Sequence, residues 1–426
     1  MVSGLLSIYA FDEYWNVSSF MRYGLLALKN RGDITVICYP LKSSVECTEA
    51  SIDEIVGKGL EHSFNMVIAG VYNDRASYYI DEASGIAVLL DREPNTNPVR
   101  DLVEYIGSNT GINDIVRILS NSAIDPPELM KDHTGVMLLG NDVVVAWRGP
   151  RSPSPLALGG YGFDMAIAAT ETAPIEVMGG NPRTSIPPGQ LVLLNKYIVK
   201  VFGARTTGRV CLLELLYIAR PDSVIDGIPI YLFRKKLGEK LAEELIKKGI
   251  GDSIDVVVGV PETALPYALG ISQRLGKPLE LLFVSTGVKA RSMLKNSLME
   301  RAIAIHLKMN PVKGVVEGKR VLLVDDSVVS GSTLKTVIQG LRQRLGVEEV
   351  HVVIASPPLR LQCPYSLFDF TMNDLISANM ESEDMVKYLD ADSITWIPID
   401  VFEETMESLG VNPCFSCFIS SRGDHA

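Results

Sequence analysis

Two patterns of hydrophobic spacing divide the chain. Up to about residue 205, short apolar runs recur between turns: SGLLSIYAF, ITVICYPL, FNMVIAGVY, GIAVLLD, GVMLLGNDVVVAW, MAIAAT and QLVLLNKYIVKVF. Their length and β-branched content predict strands. Helical spacing is rarer in this half and clearest in SSFMRYGLLALKN. RGPRSPSPLALGG (Arg148–Gly160) concentrates Pro, Gly and Ser and predicts a loop. Sheets with a few packed helices, an α+β layer fold, are the expected result.

From about Asp226 strands and helices alternate regularly. The helix FRKKLGEKLAEELIKKG precedes the strand IDVVVGV; the helix ALPYALGISQRLG follows, then LELLFV, VLLVDD, the helix TLKTVIQGLRQRLG and EVHVVIAS. Continuous Val/Ile/Leu strands between helices predict a parallel sheet covered on both faces, an α/β domain. Beyond about Asn373, DMVKYLD and FEETMESLG predict helices ahead of a cysteine-bearing end. The expected units are residues 1–205, 206–372 and 373–426.

One stretch of the second half carries chemistry. In VLLVDDSVVSGSTLK (Val321–Lys335) a buried strand ends on Asp325 and Asp326, and a loop of small residues leads into a helix. Ligands of open α/β sheets bind beyond the carboxyl ends of the strands. Adjacent carboxylates there can accept hydrogen bonds from the vicinal hydroxyls of a ribose. Gly331 allows close backbone approach, while Ser327, Ser330, Ser332 and Thr333 offer hydroxyls at a helix N-terminus suited to a phosphate. The plain alternative is a capped helix with two solvated aspartates.

Bulk composition narrows the classes. A chain of 426 residues allows two or three domains. A formal net charge of −11 argues against broad electrostatic binding of nucleic acid. No apolar run reaches the roughly 18 residues of a membrane span, and the start lacks a basic leader, so a cytoplasmic protein with no membrane partner is expected. Six cysteines, Cys38, Cys47, Cys211, Cys363, Cys414 and Cys417, are too few for a secreted disulfide scaffold. Only Cys414-x-x-Cys417 has ligand-like spacing.

The strand–DD–SGST–helix stretch resembles the signature of type I phosphoribosyltransferases, which bind 5-phosphoribosyl-1-pyrophosphate (PRPP) with Mg²⁺. Around it, YIARPDSVIDGIPIYLFRKKLG, VVVGVPETALPYALG, RLGKPLELLFV, VVEGKRVLLVDDSVVSGST and VEEVHVVIASPPLRLQCPY are similar, in order, to glutamine PRPP amidotransferases. SGLLSIY, LLALKNRGD and IPPGQLVLL resemble phrases of that family's glutaminase domain. The resemblance implies an N-terminal nucleophile-hydrolase-like domain followed by a type I phosphoribosyltransferase domain. It also implies PRPP binding by Asp325, Asp326, Ser327, Ser330, Gly331, Ser332 and Thr333, with Mg²⁺ at Asp325 and Asp326. NPCFSCFIS is similar to the end of the iron–sulfur branch, which implies a 4Fe–4S cluster on Cys211, Cys363, Cys414 and Cys417; structural zinc or free core thiols are the other readings. Cys38 and Cys47 match nothing and are expected to be ordinary thiols.

The chain departs from that family at its catalytic positions. The nucleophilic cysteine of the glutaminase corresponds to Ser3, its glutamine-binding arginine falls at about Tyr72, and its oxyanion phrase falls at about Asp91–Arg92–Glu93. A folded but inactive glutaminase domain is expected. In the transferase half, STGVKARSML stands where the family has its basic catalytic loop, leaving Ser285 for a lysine and Lys289 and Arg291 as basic contacts. Lys308 matches a further pyrophosphate-contacting lysine; an ordinary solvated basic face is the alternative for all three. Glu262 and Thr263 replace an Asp and a Ser in PETA. The expected activity is formation of 5-phosphoribosylamine from PRPP and ammonia or another amine. The rival is a non-catalytic PRPP- or nucleotide-binding paralogue that regulates an active amidotransferase. A homo-oligomer is the expected assembly.

Overall fold

The computed structural model describes residues 3–41, 44–58, 62–82, 85–94, 128–140, 142–284 and 309–418. Its N-terminal half stacks two antiparallel sheets. Seven strands form the first, in spatial order Asn181–Ser185, Ala157–Tyr161, Met165–Ala169, Gly4–Ala10, Met66–Tyr72, Ile34–Pro40 and Val45–Ser51. Six form the second: Ile198–Phe202, Gln190–Asn195, Val143–Arg148, Thr134–Leu139, Ile86–Leu90 and Tyr78–Asp81. Strand alternation supplies the layers. Leu5 and Tyr9 face Val136, Val144 and Val192 of the other sheet, while Leu6 and Ile8 face Met21 and Leu25 of the helix Ser18–Ala27. Each fully buried side chain of this size contributes about 1.5–3 kcal/mol.

Two sequence expectations are corrected here. The end of the expected loop Arg148–Gly160 is a strand, Ala157–Tyr161, paired on both sides. Pairing with two neighbours overrides the turn propensity of its glycines. Cys38 and Cys47 are not ordinary thiols: they face each other in the register of a hairpin and form a disulfide, Cα–Cα 4.1 Å. Nine residues of separation hid a pairing that antiparallel register creates.

The second half is the expected parallel sheet, in the order Leu279–Glu280, Val256–Gly259, Arg320–Asp325, Glu349–Ile354 and Ser393–Trp396. Leu322 and Val324 pack on the side of helices Ile230–Lys247 and Leu265–Leu275. Val321 and Leu323 pack on the side of helices Ser332–Leu345 and Ser382–Leu389. Gly238 and Gly270 let the first two helices touch backbone to backbone; a Cβ on Gly238 would sit 2.2 Å from the Tyr267 carbonyl oxygen. Among the described residues no helix is long and apolar enough to cross a membrane.

Charged groups with no exposed surface join the halves. Arg31 pairs with Glu171 at 2.8 Å and, more closely, with Glu214, all three side chains fully buried. Burial works against the Arg31 cation, yet the two carboxylates hold it firmly protonated. Burial pushes Glu214 upward, opposed by Arg31. Glu171 also accepts hydrogen bonds from Ser223 Oγ at 2.7 Å and from the Arg220 N–H at 2.9 Å. Arg148 forks onto Asp226 at 2.8 and 2.9 Å, another bond across the junction.

Removing one partner of a buried ion pair strands the others. Arg31→Met is expected to destabilise the chain by about 3–5 kcal/mol. Arg31→Met with Glu171→Gln and Glu214→Gln should recover much of that loss. Urea unfolding midpoints check it; a single mutant as stable as the parent chain defeats it.

Candidate functional site

The strand Arg320–Asp325 ends at the carboxyl edge of the parallel sheet with Asp326 immediately after it. Both are pinned by their own backbone. The carbonyls of Asp325 and Asp326 accept from the N–H groups of Ala355 and Ser356 at 2.9 and 2.8 Å, and the Asp326 N–H donates to Asp325 Oδ1 at 3.0 Å. The Asp326 carboxylate accepts from Ser327 Oγ at 2.9 Å and from Thr263 Oγ1. Thr263 follows the strand Val256–Gly259, so two strand ends meet at one carboxylate.

The two acids are held in an electrostatically costly state. Burial, then the neighbouring carboxylate, pushes Asp325 well above the usual range. Burial also raises Asp326, although Thr263, Ser327 and the buried Arg234 pull the other way. A pair in this condition favours ligands that donate hydrogen bonds or positive charge.

Beyond the acids, Val328 is buried and the Val329 carbonyl accepts from the Ile376 N–H at 2.8 Å, fixing the loop from below. Ser330 and Ser332 hydroxyls bond each other at 2.9 Å. Gly331 turns the chain at φ +71°, and a Cβ there would meet Ile376 at 3.0 Å. The helix Ser332–Leu345 starts at once; Gly331 at its N-cap offers no side chain, and only Ser330 Oγ reaches a first-turn N–H, that of Ser332, at 3.4 Å. That leaves a helix N-terminus with its dipole facing the loop, a setting for an anion. The seven residues expected to hold a ribose phosphate run from the strand end at Asp325 through the loop to the first helical residues Ser332 and Thr333. Arg291 and Lys308, with Ser285 and Lys289, lie outside the described residues.

The cysteines also gather. Val210–Cys211 and Pro413–Cys414 pair in parallel with Cys211 opposite Cys414. Arg360 and Leu361 N–H groups bond the Cys417 carbonyl at 3.0 and 3.1 Å, which brings the Cys363 segment to the tail. All four thiols are buried and outside any disulfide. Cys363 and Cys417 share a hydrogen bond that draws Cys363 down to about 6 and drives Cys417 up. Burial raises Cys211, and the charges of Cys414 and Cys363 add to it. No three or more His, Cys, Asp or Glu side chains among the described residues are placed to hold a metal ion as they stand.

In the N-terminal half, Ser3 Oγ donates to the Asp91 carbonyl at 2.6 Å. Tyr72 is buried, its hydroxyl donating to the Ser77 carbonyl at 3.1 Å. The Asp91 carboxylate is saturated: Arg92 at 2.7 Å, His133 at 3.1 Å, Ser154 at 2.6 Å and Ser152 at 3.3 Å. Burial would raise Asp91, but Arg92, His133 and Ser154 more than offset it and hold it below the usual range. Arg92 also lies 5.9 Å from the centroid of Tyr365, beside Cys363.

Between the halves lies a cavity of about 480 Å³ lined by Asn30, Arg31, Tyr217 to Asp222, Glu262 and Thr263. Sequence reasoning singled out neither the cavity nor the Arg31 triad. Thr263 was singled out in PETA, but its bond to Asp326 was not foreseen. Arg234, which lies buried inside an otherwise ordinary amphipathic helix, gave no signal.

Comparison with known proteins agrees with this geometry. Residues 232–359 match the family described as "Phosphoribosyl transferase domain". The amidophosphoribosyltransferase of Methanothermobacter thermautotrophicus is 29% identical over 99% of this chain and 94% of its own length. That of Bacillus subtilis is 30% identical, with the alignment spanning 68% of this chain and 61% of the relative. Among solved structures, glutamine PRPP amidotransferase from B. subtilis complexed with ADP and GMP superposes with TM-score 0.78, at 23% identity over 97% of this chain and 96% of that one. A structure described as the allosteric regulatory enzyme of purine biosynthesis gives 0.77, at 23% identity over 97% and 95%. The chain is an amidophosphoribosyltransferase homologue.

Proposed function

We propose that the chain binds PRPP with Mg²⁺ and transfers its phosphoribosyl group to ammonia or another amine, giving 5-phosphoribosylamine in the simplest case. The observation that carries this is the Asp325–Asp326 pair, left electrostatically unsatisfied beside a helix N-terminus whose N-cap is a glycine. Asp325 and Asp326 accept the two ribose hydroxyls, and the loop 327–333 holds the 5′-phosphate on backbone N–H groups and the hydroxyls of Ser330, Ser332 and Thr333. Asp325 and Asp326 also fit a Mg²⁺ ion, which supplies positive charge to the leaving pyrophosphate. The protein's own part is to orient C1 toward the amine and keep the ribose rigid as the C1–O bond breaks. Arg291 and Lys308 are proposed as the basic contacts of the pyrophosphate.

The glutaminase half is proposed to be inactive. Three observations support that reading: a serine whose hydroxyl is engaged at the nucleophile position, a buried Tyr72 at the arginine position, and Asp91 locked by four partners at the oxyanion position. Nitrogen then arrives as ammonia or an amine rather than from glutamine.

Cys211, Cys363, Cys414 and Cys417 are proposed to hold a 4Fe–4S cluster. Four buried thiols from three segments of the chain offer the soft donors that such a cluster needs. Such a cluster would fasten the tail to both halves.

Asp325→Asn with Asp326→Asn should abolish PRPP binding by calorimetry. The same variant should unfold later than the parent chain at about pH 8, because groups with raised folded pKa values stabilise the fold only in acid, and that contribution is lost as pH rises through the folded pKa. The gap should close toward about pH 4; retained PRPP affinity defeats the assignment.

Glutamine incubated with the protein, with or without PRPP, is expected to yield no glutamate. Glutamate release at any multiple of the buffer rate overturns the inactive-glutaminase reading.

Anaerobically purified protein should contain iron and acid-labile sulfide in equal amounts, with broad absorbance near the blue. Cys363→Ser should lose most of both; zinc in their place would refute the cluster.

A further inference from the structure

The strand Ile198–Phe202 ends the six-stranded sheet and, among the described residues, pairs with Gln190–Asn195 alone. Along its other side the backbone N–H and C=O groups face no neighbouring strand. The chain does not fold back over that side. After Phe202 it returns to the start of the partner strand, where Thr206 donates its N–H and its hydroxyl to the Pro188 carbonyl at 2.9 and 3.0 Å. A strand edge left open in this way is a template for pairing with another chain.

Register fixes which way its side chains point. Val201 lies opposite Val192 and Val199 opposite Leu194. Val192 and Leu194 belong to the layer buried between the two sheets. Cross-strand partners share a face, so Val199 and Val201 are turned toward that layer, yet they remain 50% and 45% exposed. The apolar layer is therefore unfinished at this edge. On the outer face Lys200 lies opposite Leu193, its Nζ 4.9 Å from the centroid of Phe202.

Charge narrows what can pair there. Lys196, Lys200 and Arg205 are exposed and make no ion pair among the described residues. This edge is basic in a chain whose formal net charge is −11. A second copy of the strand is a poor complement. Two-fold pairing centred on Val199, Lys200 or Val201 sets Lys200 opposite or diagonal to its own copy, and like charges so placed are destabilising. The complement is an extended segment with apolar side chains beside Val199 and Val201 and an acid beside Lys200.

We propose that the strand Ile198–Phe202 is a docking edge for a partner protein, which adds an extended segment of alternating apolar and acidic residues as a further strand of the sheet. Backbone hydrogen bonds along the open edge supply affinity, and alternate side chains supply specificity. The apolar residues of the segment close the layer over Val199 and Val201, while its acid pairs with Lys200 on the outer face. Lys196 and Arg205, just beyond the two ends of the strand, extend the same charge preference to the flanks of the segment. The proposal does not depend on the transferase reading.

The test titrates the full chain into fluorescein-labelled short peptides that alternate valine with glutamate or valine with lysine, read by fluorescence anisotropy. The glutamate peptide is expected to bind about tenfold more tightly than the lysine peptide. The glutamate peptide with a central proline, which lacks a donor for the edge, is expected not to bind. Lys200→Glu should reverse the preference between the two peptides, which a misfolded chain could not do. Equal affinity for both peptides, or none for either, overturns the proposal. A glutamate peptide whose affinity is unmoved by Lys200→Glu overturns the assigned strand. Sedimentation in which the parent chain self-associates and Lys200→Glu does not makes a second copy the occupant, and overturns the proposal as well.

Discussion

The buried triad of Arg31, Glu171 and Glu214 is the constraint on which the relation of the two halves depends. Its guanidinium comes from the turn after the first helix, one carboxylate from the N-terminal sandwich and the other from the wide helical turn Glu214–Ile218. None of the three can regain water without separating the domains, and charges so placed tolerate no vacancy. Ser223 and the Arg220 backbone complete the Glu171 shell, so the segment that lines the cavity is fixed by the same cluster. The position of the cavity relative to Asp326 follows from ion pairing rather than from apolar packing alone.

Two polar clusters on either side of that triad show opposite physics. Asp91 is buried yet held below its usual pKa, because a cation, an imidazole and a hydroxyl outweigh desolvation. Asp326 is buried and Asp325 half-buried, and both are raised, because desolvation, joined at Asp325 by repulsion from Asp326, outweighs their partners. A saturated cluster has nothing left to offer a ligand, whereas an unsatisfied one gains by binding. This contrast supports the proposed division of roles, with ligand binding at Asp325 and Asp326 rather than at Asp91.

Much of the fold was legible from spacing alone. Near-continuous Val/Ile strands between helices specified the parallel sheet, and the DD–SGST loop landed on its carboxyl edge because topology leaves a ligand no other place. What escaped were features made by tertiary pairing. The Cys38–Cys47 disulfide exists because hairpin register sets the two opposite each other. ALGGY became a strand because neighbours on both sides complete its hydrogen bonds. Arg31, Glu171 and Glu214 lie 140 and 43 positions apart in turn, and no local pattern marks a charge for complete burial.

The cysteine-bearing tail is tied into the same framework. Cys414 lies in register with Cys211 at the entry to the turn that supplies Glu214, so the tail is anchored three residues from the triad. Arg92, whose guanidinium binds Asp91, lies over the ring of Tyr365, two residues from Cys363. The cysteine cluster therefore sits between the Asp91 cluster and the ion triad and touches the structural supports of both. The tail thus restrains the N-terminal domain from one side while the triad restrains it from the other. A domain held at two such points keeps its place as the wall of the cavity.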